Sequence, residues 1–123
     1  MAEQQTYPKN TRLMAIPLPA AITVSGANSD DVSCFTPVGG RIRAVGWHVS
    51  TGVTTTKAVM TLKVDGTTAT TFDVAVAAAG VVAVSEFANT TEYDVPAGAS
   101  KITLTSDGGP AAGAVEFIVY VEA

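Results

Sequence analysis

The sequence is poor in the residues that do chemistry. Its 123 positions hold one cysteine, one histidine and one tryptophan. A single cysteine, Cys34, excludes an internal disulfide framework and fits a chain made in a reducing compartment. Free cysteine is most often a small buried apolar residue, and Cys34 is read that way. A catalytic thiol would need a partner base, and His48 is the only imidazole. A metal centre asks for several His, Cys or clustered carboxylates at close spacing, and the sequence has no such cluster. His48, beside Trp47 in an expected strand, is therefore read as a surface or internally satisfied histidine. The G-x-S-x-G, Walker and dinucleotide signatures are absent. No cofactor is expected, and the chain is read as not an enzyme.

Charge is also scarce. Charged residues make up 15% of the chain against 47% hydrophobic, a balance that argues against disorder. The seven Lys and Arg are spread thinly and the net charge is -4, so no basic patch marks a nucleic-acid binder. No run reaches eighteen apolar residues, so no membrane span is expected. The opening MAEQQTYPKN has no apolar core of the kind a secretory signal carries. Eleven acids remain. Glycosidase chemistry would need two of them facing each other in a cleft, but most fall in expected turns or on solvent faces. The segments NSDD and SDGG would each lend oxygens to calcium, yet neither has the spaced ligand ladder of a calcium loop. Turn chemistry accounts for both, because Asn and Asp side chains hydrogen-bond nearby backbone.

What is abundant is Ala, Val, Thr and Gly. Branching at Cβ suits Val and Thr to a pleated sheet, and no helical apolar stripe of any length occurs. Residues 1–12 are polar and without period, an N-terminal arm; 13–123 read as one domain. RLMAIPLPAAITV carries Pro17 and Pro19, which suits an edge strand or two short strands with a kink. Ser25 to Asp31 reads as a loop and Val32 to Thr36 as a short strand. In the next strand, Arg41 to Ser50, Ile42 and Ala44 share one face while Val45, Trp47 and Val49 share the other. Either a bulge near Gly46 restores agreement, or both faces are covered, one by the core and one by a neighbouring subunit. KAVMTLKV and TTFDVAV alternate cleanly around Asp65-Gly66, a tight hairpin turn. VVAVSEF, YDV, SKITLTS and AVEFIVYVE complete about eight strands at the spacing of an antiparallel β-sandwich. Eight strands in two sheets is the jelly-roll count.

The aromatic residues Trp47 and Tyr120 offer two readings, an interface or a stacking platform for sugar rings. Aromatic enrichment at interfaces favours the first. Tyr7, Val45, Trp47, Val49 and Tyr120 are the candidate subunit or partner interface.

The pattern of IPLP, TPVGGRIRAVGWHVSTG, LKVDGTT, DVPAGASKITLTSD and AVEFIVYVEA resembles the small jelly-roll virion proteins of tailed bacteriophages, found as capsid decoration (cement) proteins, head fibres and tail-fibre modules. The likeness spans roughly Ile16 to Val121 and rests on turn and core residues. It implies a structural virion protein, a capsid decoration subunit that binds the assembled head and stabilises it. Its partner would be the major capsid protein, its own state a homo-oligomer with a trimer favoured, and its place the capsid surface after synthesis in the host cytoplasm. The alternative is a carbohydrate- or receptor-binding module of a fibre or spike.

Overall fold

The structure, a computed structural model, describes residues 13–123. The arm expected over residues 1–12, with Tyr7, lies outside the described residues. The strands are β1 (Leu13–Pro17), β2 (Ile22–Thr23), β3 (Ser29–Thr36), β4 (Gly40–Thr54), β5 (Ala58–Val64), β6 (Thr67–Val74), β7 (Val82–Glu86), β8 (Asp94–Val95), β9 (Gly98–Ser106) and β10 (Ala112–Glu122). A 3-10 turn, Thr91–Tyr93, precedes β8. Every strand pairing is antiparallel. One sheet has the order β1-β10-β4-β7, with β2 on β10 and β8 on β4; the other has the order β3-β9-β5-β6. The fold is the all-β antiparallel sandwich of jelly-roll type that the strand pattern predicts.

Alternation explains the core. Ala58, Met60, Leu62 and Val64 of β5 are buried, as are Ile102 and Leu104 of β9 and Val115, Phe117, Val119 and Val121 of β10. Between the sheets Trp47 stacks on Phe72 at a centroid distance of 5.5 Å, with Phe117 6.2 Å from Trp47 and tilted. At one end Phe87 stacks on Tyr93 at 4.9 Å. Two buried hydroxyls are satisfied by distant backbone. Ser106 Oγ donates to the Val24 carbonyl at 3.0 Å, and Thr36 Oγ1 donates to the Pro96 carbonyl at 3.1 Å. The hairpin between β5 and β6 turns on Asp65 (φ 50°) and Gly66 (φ 85°). Paired positive φ values are what a two-residue hairpin turn requires.

Three sequence expectations are corrected. β3 begins at Ser29, inside the segment read as a loop, because Ser29, Asp30 and Asp31 find partners in Thr105, Leu104 and Thr103 of β9. β4 is longer than expected and runs to Thr54. The change of face in β4 lies at Arg43 and not at Gly46. The register against β10 jumps from Tyr120↔Ala44 to Val121↔Ile42, leaving Arg43 as the extra residue. A bulge of one residue reverses the parity of all that follows, so Ile42, Val45, Trp47 and Val49 all end on the core side.

Candidate functional site

The placement of β4 decides the fate of the expected interface. Val45 and Val49 are fully buried and Trp47 is 8% exposed, all three packed in the core between the sheets. They are core residues of this chain and are not presented to a partner. The bulge at Arg43 is the physical reason, since it turns these side chains inward. Tyr120 is different: it is half-buried and stands on the outer face of the β1-β10-β4-β7 sheet.

That outer face is apolar. Three cross-strand rows follow from the register. Pro17, Ile118, Gly46 and Val84 form one, Ala15, Tyr120, Ala44 and Glu86 the next, and Glu116, His48 and Val82 a third. Tyr120 lies across Gly46, and a Cβ at Gly46 would come within 3.3 Å of Tyr120 Cε2. A glycine in a strand lacks a side chain to cover its neighbours, and an aromatic ring from the adjacent strand fills that gap. The ring, Ile118, Val82 and Val84 enclose a shallow depression of about 370 Å³. Val82 and Val84 are 73% and 54% exposed, and Leu13 of β1 extends the apolar surface at the other edge. A polar pair lines the rim, with His48 Nδ1 3.0 Å from Glu116 Oε1; farther along β4 and β10, outside the depression, Arg43 donates to Glu122 at 2.6 Å.

Elsewhere the ionisable groups hold the fold together. Arg41 bridges Asp94 at 2.6 Å and Asn89 at 2.9 Å, and the hydrogen bond to Asp94 raises the guanidinium pKa above its ordinary value. Lys57 is raised likewise by its hydrogen bond to Asp73. Asp107 Oδ1 accepts from the backbone N–H of Gly109 at 3.0 Å and of Val59 at 3.1 Å. Those two bonds, in that order, lower its pKa because they favour the charged form. Asp30 accepts from the backbone N–H of Ala20 and Asp31, and Asp65 from that of Lys101. Asp107 of SDGG thus anchors its own turn, as turn chemistry predicts, whereas Asp30 of NSDD lies in β3 and ties the strand to Ala20 ten residues away. Burial pushes the Cys34 thiol up, away from the reactive thiolate. Among the described residues no group of three or more His, Cys, Asp or Glu is arranged to hold a metal ion. Among the described residues no helix is long and apolar enough to cross a membrane.

The residues that sequence reasoning missed are Ile118, Val82, Val84 and the Gly46 platform. Their signal was present. EFIVYVE places Ile118 and Tyr120 opposite the core residues, and VVAVSE places Val82 and Val84 on one face with Glu86.

No family model matches the chain, and no curated protein sequence matches it. Solved structures match by fold. One is the isomalto-dextranase of Arthrobacter globiformis T6 complexed with panose, at 10% identity and TM-score 0.57, over 89% of this chain and 23% of that one. Another is the exo-β-1,3-galactanase of Phanerochaete chrysosporium with β-1,3-galactotriose, at 17% identity and TM-score 0.54, over 90% of this chain and 27% of that one. A third is a family 35 carbohydrate-binding module from Clostridium thermocellum, at 15% identity and TM-score 0.50, over 89% of this chain and 92% of that one. The chain spans about a quarter of the two enzymes and nearly the full length of the module. At these identities the likeness is one of fold.

Proposed function

We propose that this chain is a non-catalytic binding subunit that works through the outer face of its β1-β10-β4-β7 sheet, and that its partner is a protein surface in a larger assembly. The observation that carries the reading is the apolar face itself, running from Leu13 and Pro17 across Ile118 and Tyr120 to Val84. Contiguous exposed apolar surface of this kind marks interaction sites. Aliphatic side chains suit a protein partner better than a sugar, whose hydroxyls need polar partners wherever binding takes their water away. The resemblance to phage virion proteins supports a phage head as the assembly and capsid decoration as the role. Binding the assembled shell and not its free subunits would stabilise the shell by mass action.

A second reading has its own observation. Tyr120 offers a half-buried ring in the same depression as the polar pair His48 and Glu116, one row of residues away, a combination that suits a sugar ring, and the fold neighbours include proteins solved with oligosaccharides. The test is co-sedimentation with assembled heads and with unassembled major capsid protein, alongside calorimetric titration with panose and β-1,3-galactotriose. Binding to heads alone, lost in Ile118→Asp and kept in the remote Thr71→Lys, supports decoration. Saturable heat with either sugar, lost in Tyr120→Ala, supports the glycan module and removes the first reading.

A further inference from the structure

The second edge of β7 is open. β7 covers Val82–Glu86 and pairs with β4 on one side. Just before it, the Val81 carbonyl accepts from Val49 N–H at 2.9 Å; just after it, Phe87 N–H donates to the Arg43 carbonyl at 2.9 Å. Antiparallel ladders alternate with period two. Odd-numbered residues therefore turn their backbone groups to β4, and the N–H and C=O groups of Val82, Val84 and Glu86 are aimed at the open edge. Natural edge strands are usually guarded by lysine, proline, a bulge or an inward charge. The run VAVAAAGVVAV from Val74 to Val84 has none of these, and no polar side chain at all.

We propose that β7 pairs antiparallel with β7 of a second copy, about a two-fold axis at Val84, so that the sheet continues from one molecule into the next. The strand is its own complement, because its outward-bonding residues are placed symmetrically about Val84. Val84 exchanges hydrogen bonds with Val84 of the second copy, and Val82 with Glu86 on either side. Charge sets the direction. Parallel pairing would put Glu86 beside Glu86, whereas antiparallel pairing puts each beside a valine and parts the two acids by about 14 Å along the strand. Like charges directly opposite one another are destabilising. The two apolar outer faces then join, with Val84 meeting Val84 and leading into the Gly46, Ile118 and Pro17 row of each copy. A two-fold contact of this kind is isologous and closes as a dimer, unlike the trimer that the phage resemblance favours. The contact uses the strand edge and does not depend on which partner the outer face takes.

The test is light-scattering mass over a concentration series for the wild type, Val84→Pro, Val84→Lys and the control Thr71→Lys. Proline at an outward-bonding edge position removes a donor that β4 does not use. The lysine variant decides if the proline variant misfolds. The wild type and control are expected to reach twice the 12.5 kDa chain mass, and the Val84 variants to stay at the chain mass with unchanged far-UV circular dichroism. A wild type that stays monomeric, a mass of three chains, or a dimer that survives both substitutions overturns the proposal. The Ile118→Asp binding test above addresses the outer face separately, so the two ideas fail independently.

Discussion

Trp47→Ala separates a core tryptophan from an interface tryptophan. The indole is 8% exposed, stacks on Phe72 at 5.5 Å and leans on Phe117 at 6.2 Å. Truncating a buried Phe or Trp to alanine costs about 3–5 kcal/mol, part lost transfer energy and part residual cavity. The site lies between two hydrogen-bonded sheets that cannot close in on the void, so the loss belongs near the upper half of that range, about 4 kcal/mol. A domain of this size has a total stability on the order of 6–18 kcal/mol, so the variant folds but loses a large share. At about 3–4 °C per kcal/mol, its midpoint falls by roughly 14 °C. The assay is thermal and urea unfolding followed by far-UV circular dichroism, because Trp47 is the sole tryptophan and its fluorescence goes with it. The slope of stability against urea should stay the same while the midpoint drops. A loss below about 1 kcal/mol, which is ordinary for a surface site, would refute the placement of Trp47 in the core. So would a change of solution mass without a change of stability.

Two further outcomes follow from Gly113 in β10 and from the Asp107 turn. Gly113 has φ 145°, and a Cβ there would stand 2.9 Å from Val24 Cγ2 and 3.0 Å from Val53 Cα. Gly113→Ala should therefore cost about 2–3 kcal/mol, the range of overpacking in a tight core, measurable as a lower urea midpoint; a neutral result would mean the β2–β10–β4 corner relaxes. Asp107 has a depressed folded pKa, so its stabilisation is fully present above the unfolded value of about pH 4. It is lost as pH falls through the folded value. Asp107→Asn should be less stable than wild type at neutral pH, and the gap should close in acid; a gap independent of pH would show that charge plays no part there.

Much of the fold was legible because the chain states its own period. β5 and β9 set their buried residues at every second position, β6 does so from Phe72 on, the inward residues of β10 keep the same period although Ile118 and Tyr120 face out, and Asp65-Gly66 names its turn. The extent of β3 was not legible. Ser29, Asp30 and Asp31 have low intrinsic strand preference, and they extend only because β9 offers partners. The bulge in β4 was legible as an event and illegible as a place. Two adjacent residues on the wrong phase, Ala44 and Val45, say that parity breaks, but the break shows only in the residue that lacks a partner on β10, which is Arg43. Glycine drew the expectation to Gly46, whose missing side chain in fact makes room for Tyr120. The same error assigned Val45, Trp47 and Val49 to an outer surface and passed over Ile118, Val82 and Val84, which occupy it.

The two outer faces of the sandwich give the strongest ground for choosing a working surface. They belong to the same fold and have the same access to water, so strand geometry treats them alike. On the β3-β9-β5-β6 sheet the register sets Ser29, Thr105, Thr61 and Thr71 in one row and Asp31, Thr103, Lys63 and Thr68 in the next, with Phe35, paired with Ala99 at the edge, as its exposed apolar exception. Threonine satisfies β-propensity as well as valine does and keeps a hydroxyl for water. On the β1-β10-β4-β7 sheet the equivalent positions are Pro17, Ile118, Gly46 and Val84. Propensity alone would have allowed threonine there too. Exposed valine and isoleucine in place of threonine gain nothing for an isolated monomer in water, because their burial energy is realised only when something covers them. The asymmetry between the faces therefore points to contact with a partner as the reason for the sequence of the first sheet, and Thr→Val exchanges on the second sheet would be its mirror control.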